Sequence, residues 1–118
     1  LTDDLLDNEF FSAYENEEYC PDLVANAIMG CPHDHPVICS MINNLKNRPI
    51  STDRAWVATG PTYLAETLRE YQGDYTIYPS YYFLPKHWSG VEVDRNGFEP
   101  YCDHWFGTTH NKYKKRKA

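Results

Sequence analysis

The chain has 118 residues, a length that suits one domain around one core, and 42% of them are hydrophobic, enough for a packed fold. Net charge is −6, unevenly placed: residues 112–118 hold five of the eleven basic side chains and no acid, so the rest carries six basic and 17 acidic groups. An acidic body excludes a broad nucleic-acid surface, and no apolar run approaches the ~20 residues needed to span a bilayer.

Leu1–Asn8 is acidic and polar around Leu5-Leu6, the length of one helical turn. Glu9–Tyr14 reads as a short strand and Glu15-Asn16-Glu17-Glu18 as an exposed turn. The carboxylate pairs Asp3-Asp4 and Glu17-Glu18 read as solvated. Leu23–Met29 is apolar except for Asn26 and is too short for periodicity to separate strand from helix. Gly30–His35 is a loop. Pro36–Asn47 reads as a helix, because Val37, Met41 and Leu45 recur one turn apart with Ile38 and Ile42 beside them.

Ala55–Ala58 reads as a short strand or bridge. The helix that follows opens at Thr59-Gly60-Pro61: Thr59 has the hydroxyl of an N-cap, and Pro61 suits a first turn. Leu64 and Leu68 face the core, while Glu66 and Arg69 can meet on the wet side. A glycine there would also let an anion approach the helix N-terminus. Tyr75–Tyr78 and Tyr81–Leu84 read as strands closed by Pro79 and Pro85, and Val91–Asn96 as a strand entering an Asn96-Gly97 turn. Tyr101–Phe106 reads as buried near its start. Short strands mixed with two main helices imply an α/β layer architecture, with a thin sheet whose edges suggest part of a larger domain.

Four cysteines allow three pairings. They read as mostly reduced, with a Cys31–Cys39 bridge as the oxidised alternative. Cys31, His33, His35 and Cys39 are zinc-type ligands, but three of them crowd into five residues, unlike the C-x2–4-C and H-x3–5-H pairs of structural sites. A turn leading into the helix at Pro36 is the simpler reading. Asn26 offers an amide to a sugar or to backbone. His104, with Asp103 before it and Trp105 after, could face a divalent ion or a phosphate, or pack as a core histidine.

The ordered set is an acidic turn after Leu5-Leu6; Asn26-Ala27-Ile28-Met29-Gly30; His35-Pro36 before a helix; Thr59-Gly60-Pro61 with Leu64; Tyr78-Pro79; Phe83-Leu84-Pro85; and His104-Trp105. It resembles the DXD-containing glycosyltransferases, whose sugar-binding region is shared by the yeast initiating mannosyltransferase, α-1,4-galactosyltransferases and bacterial capsule enzymes. The resemblance covers nearly the whole chain. It implies a GT-A-like (Rossmann-like) fold, a nucleotide-sugar donor, a saccharide or glycolipid acceptor, and a divalent ion (Mn or Mg) held by an Asp-x-Asp motif. That motif is absent here. The resemblance therefore implies that residues 1–111 are the C-terminal part of a catalytic domain, inactive alone and needing no cofactor alone, followed by a basic tail, 112–118.

By the same resemblance His104 is a metal ligand or phosphate donor, Asn26 and Gly30 border the sugar, and Thr59 and Gly60 shape the acceptor side. Trp88 and Trp105 are candidate cleft aromatics. The family's later Ser-Trp is not matched: Thr108 or Thr109 stands for the Ser and the Trp is missing. The alternative is a carbohydrate-binding or interaction module without catalysis, using Tyr81, Tyr82, Trp88 and Trp105 as stacking platforms. A cytoplasmic, membrane-associated enzyme is expected, with the Golgi lumen as alternative. The tail reads as a solvated terminus, or as a peripheral contact to anionic lipid.

Overall fold

The structure is a computed structural model that describes residues 3–49 and 51–104. Trp105, Thr108, Thr109, His110 and the basic tail lie outside the described residues. The chain forms α1 (Asp3–Leu6), β1 (Phe11–Asn16), β2 (Cys20–Gly30), α2 (Pro36–Asn47), α3 (Ala55–Ala58), α4 (Pro61–Glu70), β3 (Thr76–Tyr78) and a 3-10 turn at Ser80–Tyr82. It is a mixed α/β fold on a three-stranded sheet of order β2-β1-β3, with β1 antiparallel to β2 and parallel to β3.

β1 is the central strand, and alternation sends its side chains to two separate cores. On one face Phe11 and Ala13 join Leu5, Ala25, Phe83 and Leu84. On the other, Phe10 at the strand's threshold joins Val24, Val37, Leu64 and Leu68 beneath α2 and α4. A strand covered on both faces reads as a nearly continuous apolar run, as Phe10-Phe11-Ser12-Ala13-Tyr14 does.

α2 has the expected bounds. His35 is its N-cap: Nδ1 accepts the Val37 N–H at 3.2 Å, and Pro36 occupies the first turn. α4 buries Leu64 and Leu68 as expected and leaves Glu66 and Arg69 exposed. Its N-cap, however, is Gly60 and not Thr59. Ala55–Ala58 is a helical turn, not a strand, and Thr59 ends it, its hydroxyl donating back to the Ala55 carbonyl at 3.1 Å. A bond to the fourth residue back is the habit of Thr inside or ending a helix, and it diverts the hydroxyl from capping the next one.

The glycine between the two helices is there for close approach. A Cβ on Gly60 would lie 2.6 Å from the Trp56 Cα, and the residue is buried. Gly60→Ala is expected to cost about 1–3 kcal/mol by overpacking. A urea unfolding midpoint within error of wild type would show that α3 can swing aside.

Arg48 locks the same corner. Its guanidinium sits 4.5 Å from the Tyr63 ring centre and donates to the Ala58 carbonyl, while the Tyr63 hydroxyl donates to the Met41 carbonyl at 2.9 Å. The C-terminus of α2, α3 and α4 are thereby fixed together.

Beyond β3 the expected strands are largely lost. Ser80–Tyr82 is a 3-10 turn. Its buried Ser80 gives both backbone N–H (2.7 Å) and hydroxyl (2.5 Å) to the Glu17 carboxylate, so Glu17 is not simply solvated. Val91–Asn96 contributes a single antiparallel bridge, Lys86 to Glu92. The Asn96-Gly97 turn is present, with the Phe98 N–H on the Arg95 carbonyl at 2.8 Å. Tyr101 is 38% exposed, against the expected burial. No helix among the described residues is long and apolar enough to cross a membrane.

Candidate functional site

Two irregularities in the sheet build a cleft of about 570 Å³. The first is in β2. Register runs Phe11 to Gly30 and then Ala13 to Ala25, so four β2 residues, Asn26–Met29, stand against Ser12 alone. Extra residues of this kind bulge from the ladder and re-aim their side chains. Ser12, fully buried, stitches the bulge shut: its Oγ lies 2.8 Å from the Ala25 carbonyl and 2.9 Å from that of Ile28. Asn26 and Ala27 are consequently pushed into solvent, where they line the cleft.

The second is the β1–β2 turn. Asn16 is buried, not exposed, and its side-chain oxygen accepts the N–H groups of Glu18 (3.0 Å) and Tyr19 (2.9 Å). Such an Asx turn sets the backbone of the reversal from a side chain. It brings the Tyr19 ring to 4.8 Å from His87.

His87 lies in a tight loop after Pro85. Its N–H donates to the Val91 carbonyl at 2.8 Å, its own carbonyl accepts the Gly90 N–H at 2.9 Å, and Gly90 takes the left-handed φ of +92° that closes the loop. The imidazole is turned inward, 2% exposed, while the adjacent Trp88 is 43% exposed at the rim. Nδ1 accepts the Ser89 N–H at 3.3 Å, with the Ser89 hydroxyl 2.7 Å away. Since a backbone N–H can only donate, the ring hydrogen of neutral His87 is on Nε2. That atom faces Glu15 Oε1 at 3.8 Å.

This contact is an ion pair only if His87 is protonated, and burial opposes that. It holds the His87 imidazole below its ordinary value and pushes the Glu15 carboxyl above its own, whereas an ion pair would move both the other way. Burial, and then the charge of Glu15, also raise the Cys20 thiol. The geometry is thus a neutral histidine beside a half-buried carboxyl at the wall of the cleft.

Glu15 resists ionisation in the fold, so the stability it lends is full below its ordinary 4.5 and is lost as pH rises through the raised value. His87 runs oppositely. Its contribution is full above its ordinary 6.5 and is lost as pH falls through the lowered value. Glu15→Gln should therefore raise the melting temperature at neutral pH, and the gain should vanish as pH drops below 4.5. A pH series of thermal melts checks this, and an equal gain at every pH would mean that the carboxyl is not strained by burial.

Of the residues marked in the sequence, Asn26, Trp88 and His104 line this one cleft. Trp56, 50% exposed, and Arg54 also line it, carried there by α3. Thr59, Gly60 and Gly30 do not: Gly60 packs on Trp56, and Gly30 sits against the Phe11 ring. Trp105 lies outside the described residues. Glu15 and His87 escaped the sequence reading. Glu15 was grouped with an acidic turn, and no spacing rule links it to a histidine 72 positions on.

Among the described residues no three His, Cys, Asp or Glu side chains gather as a metal-holding group. His33 pairs instead with Asp34 at 2.9 Å on the surface, and all four cysteines are free. The described residues alone do not supply the ligand shell of a divalent ion. No protein-family model matches the chain, and neither curated proteins nor solved structures give a match.

Proposed function

We propose that the chain is the C-terminal, sugar-binding part of a GT-A-like glycosyltransferase that moves a sugar from a nucleotide-sugar donor to a saccharide or glycolipid acceptor. The observation that carries this reading is the convergence of Asn26, Trp88 and His104 on one cleft. These residues are 62 and 16 positions apart in sequence; Asn26 and His104 belong to two different motifs of the resemblance, and Trp88 is a candidate cleft aromatic by residue type. The cleft has the chemistry of a saccharide site. Exposed Trp56 and Trp88 offer flat apolar faces, and Asn26, Arg54 and Glu15 offer donors and acceptors between them. Its lining suits a neutral, hydroxyl-rich ligand.

The divalent ion belongs to the Asp-x-Asp half of the enzyme. From this chain the resemblance assigns His104, with Asp103 beside it, to that ion or to the diphosphate it holds. A non-catalytic carbohydrate-binding module is the second reading, favoured by the same exposed tryptophans.

Two measurements decide. The parent gene should encode Asp-x-Asp shortly before Leu1, and its absence there would sink the transferase. Methyl glycosides and short oligosaccharides titrated into the 118-residue chain should alter tryptophan fluorescence. Weak binding that strengthens in the full-length protein with nucleotide sugar and manganese marks the transferase. Tight binding needing neither marks the module.

A further inference from the structure

We propose that Glu15, steered by His87, is the residue of this cleft that grips a hydroxyl group of the bound saccharide. The inference rests on the saccharide reading of the cleft and names its recognition contact.

Glu15 comes from β1, at the register shift between Tyr14 and Asn16 that leads into the β1–β2 turn. Its side chain is 16% exposed and lines the cleft. A largely buried carboxylate at the wall of a cleft is stabilised by hydrogen-bond donors. Among the described residues the polar atom recorded against it is Nε2 of His87, at 3.8 Å too far for a hydrogen bond. The titratable and charged groups of the cleft beside Glu15 are His87 in its loop, Tyr19 and Cys20 at the turn, and Arg54 and His104 of the same lining. None of the ion pairs among the described residues joins Glu15 to Arg54.

A sugar hydroxyl entering between Trp56 and Trp88 would give Glu15 a charge-assisted hydrogen bond while its ring carbons met the aromatic faces. His87 is the positioning residue. Its 1% exposed side chain, fixed by Ser89 and held between Tyr19 and Trp88 with ring centres at 4.8 and 5.0 Å, presents an N–H and not a positive charge. Glu15 is steered without being neutralised, and its accepting power stays directed at the ligand. An anionic ligand is disfavoured at this wall for the same reason.

The test uses the 118-residue chain, methyl α-mannoside and methyl α-galactoside as probes, and tryptophan fluorescence with ¹⁵N NMR of the imidazoles. Losing a hydrogen bond to a charged acceptor should weaken glycoside binding about 10–100-fold in Glu15→Gln. Wild-type affinity should also fall as pH drops through the Glu15 titration, and Glu15→Gln should lose that dependence. Glu15→Asp keeps the charge, and partial retention of binding there separates recognition from folding should Glu15→Gln fold poorly. The His87 resonances should show the hydrogen on Nε2.

Equal affinity in wild type and Glu15→Gln overturns the inference while leaving the saccharide cleft in place. A hydrogen on Nδ1 of His87 overturns the steering role. No response of the wild-type chain to either glycoside at saturating concentration overturns both the inference and the reading on which it rests.

Discussion

Phe10→Ala should unfold much of the population, with an expected loss of about 3–5 kcal/mol. Phe10 is 0% exposed and stands where β1 begins, facing Val24, Val37, Leu64 and Leu68. Its ring centre is 5.5 Å from that of His35, which is 5.6 Å from Tyr71 at the end of α4. Removing it opens a cavity and also loosens the histidine that caps α2. Its carbonyl meanwhile accepts the Thr76 N–H at 2.9 Å, the bond that leads β3 into the sheet. A domain this small holds roughly 5–15 kcal/mol in total, so the loss takes a large share of its margin. Urea unfolding followed by circular dichroism gives the number. A change below ~1 kcal/mol would mean that the two helices do not close on β1 as described, since even collapse around a buried aromatic leaves more than that.

The elements legible in the sequence were those whose pattern is local. α2 was readable because a histidine-proline start, five apolar residues on one face and an Asn-Arg-Pro stop agree within a dozen positions. α4 was readable for its Leu64–Leu68 stripe, but its cap was not. Thr59 is a good N-cap by type, yet its hydroxyl was already taken by the preceding turn, which the sequence reading had made extended. Ala55–Ala58 is too short to show a period, and what supports it as a helical turn lies outside those four residues: the Arg48 clamp on Ala58, and the close approach of Gly60 to Trp56. Likewise Tyr81–Leu84 has the aromatic content of a strand. Ser80 bends it instead by reaching back to Glu17, 63 residues earlier.

The cleft follows the same division. Asn26 was conspicuous because it broke an apolar run, and the structure gives the reason, a bulge that lifts it off the sheet. Trp88 was conspicuous by type. Glu15 and His87 were not, since one looked like any surface acid and the other like any loop histidine. Only folding puts them 3.8 Å apart and buries one of them. A signal did exist. Glu15 follows a run whose residues are covered on both faces, so it sits on a central strand and not on a surface turn. A charged side chain in such a strand costs stability, and that is a reason to look for its use.

His104 carries the largest expected effect on activity. Under the proposed transferase reading, His104→Ala in the full-length protein should lower sugar transfer by about 10²–10⁴-fold, the range for a group that assists directly in catalysis. Its position supports this. It is exposed and lines the cleft with Asn26 and Trp88, and in the proposed transferase its imidazole would donate to the leaving phosphate oxygens of the donor. His104 lies outside both cores, and a thermal melt of the variant beside the wild type separates a loss of turnover from unfolding. His104→Gln, which keeps a donor without the ring, should recover part of the rate if hydrogen bonding is its role, and none if metal ligation is. Steady-state rates with nucleotide sugar and manganese distinguish these cases. Turnover unchanged in His104→Ala would take this residue out of the chemistry and leave the cleft a site of recognition alone, with Glu15 as its test.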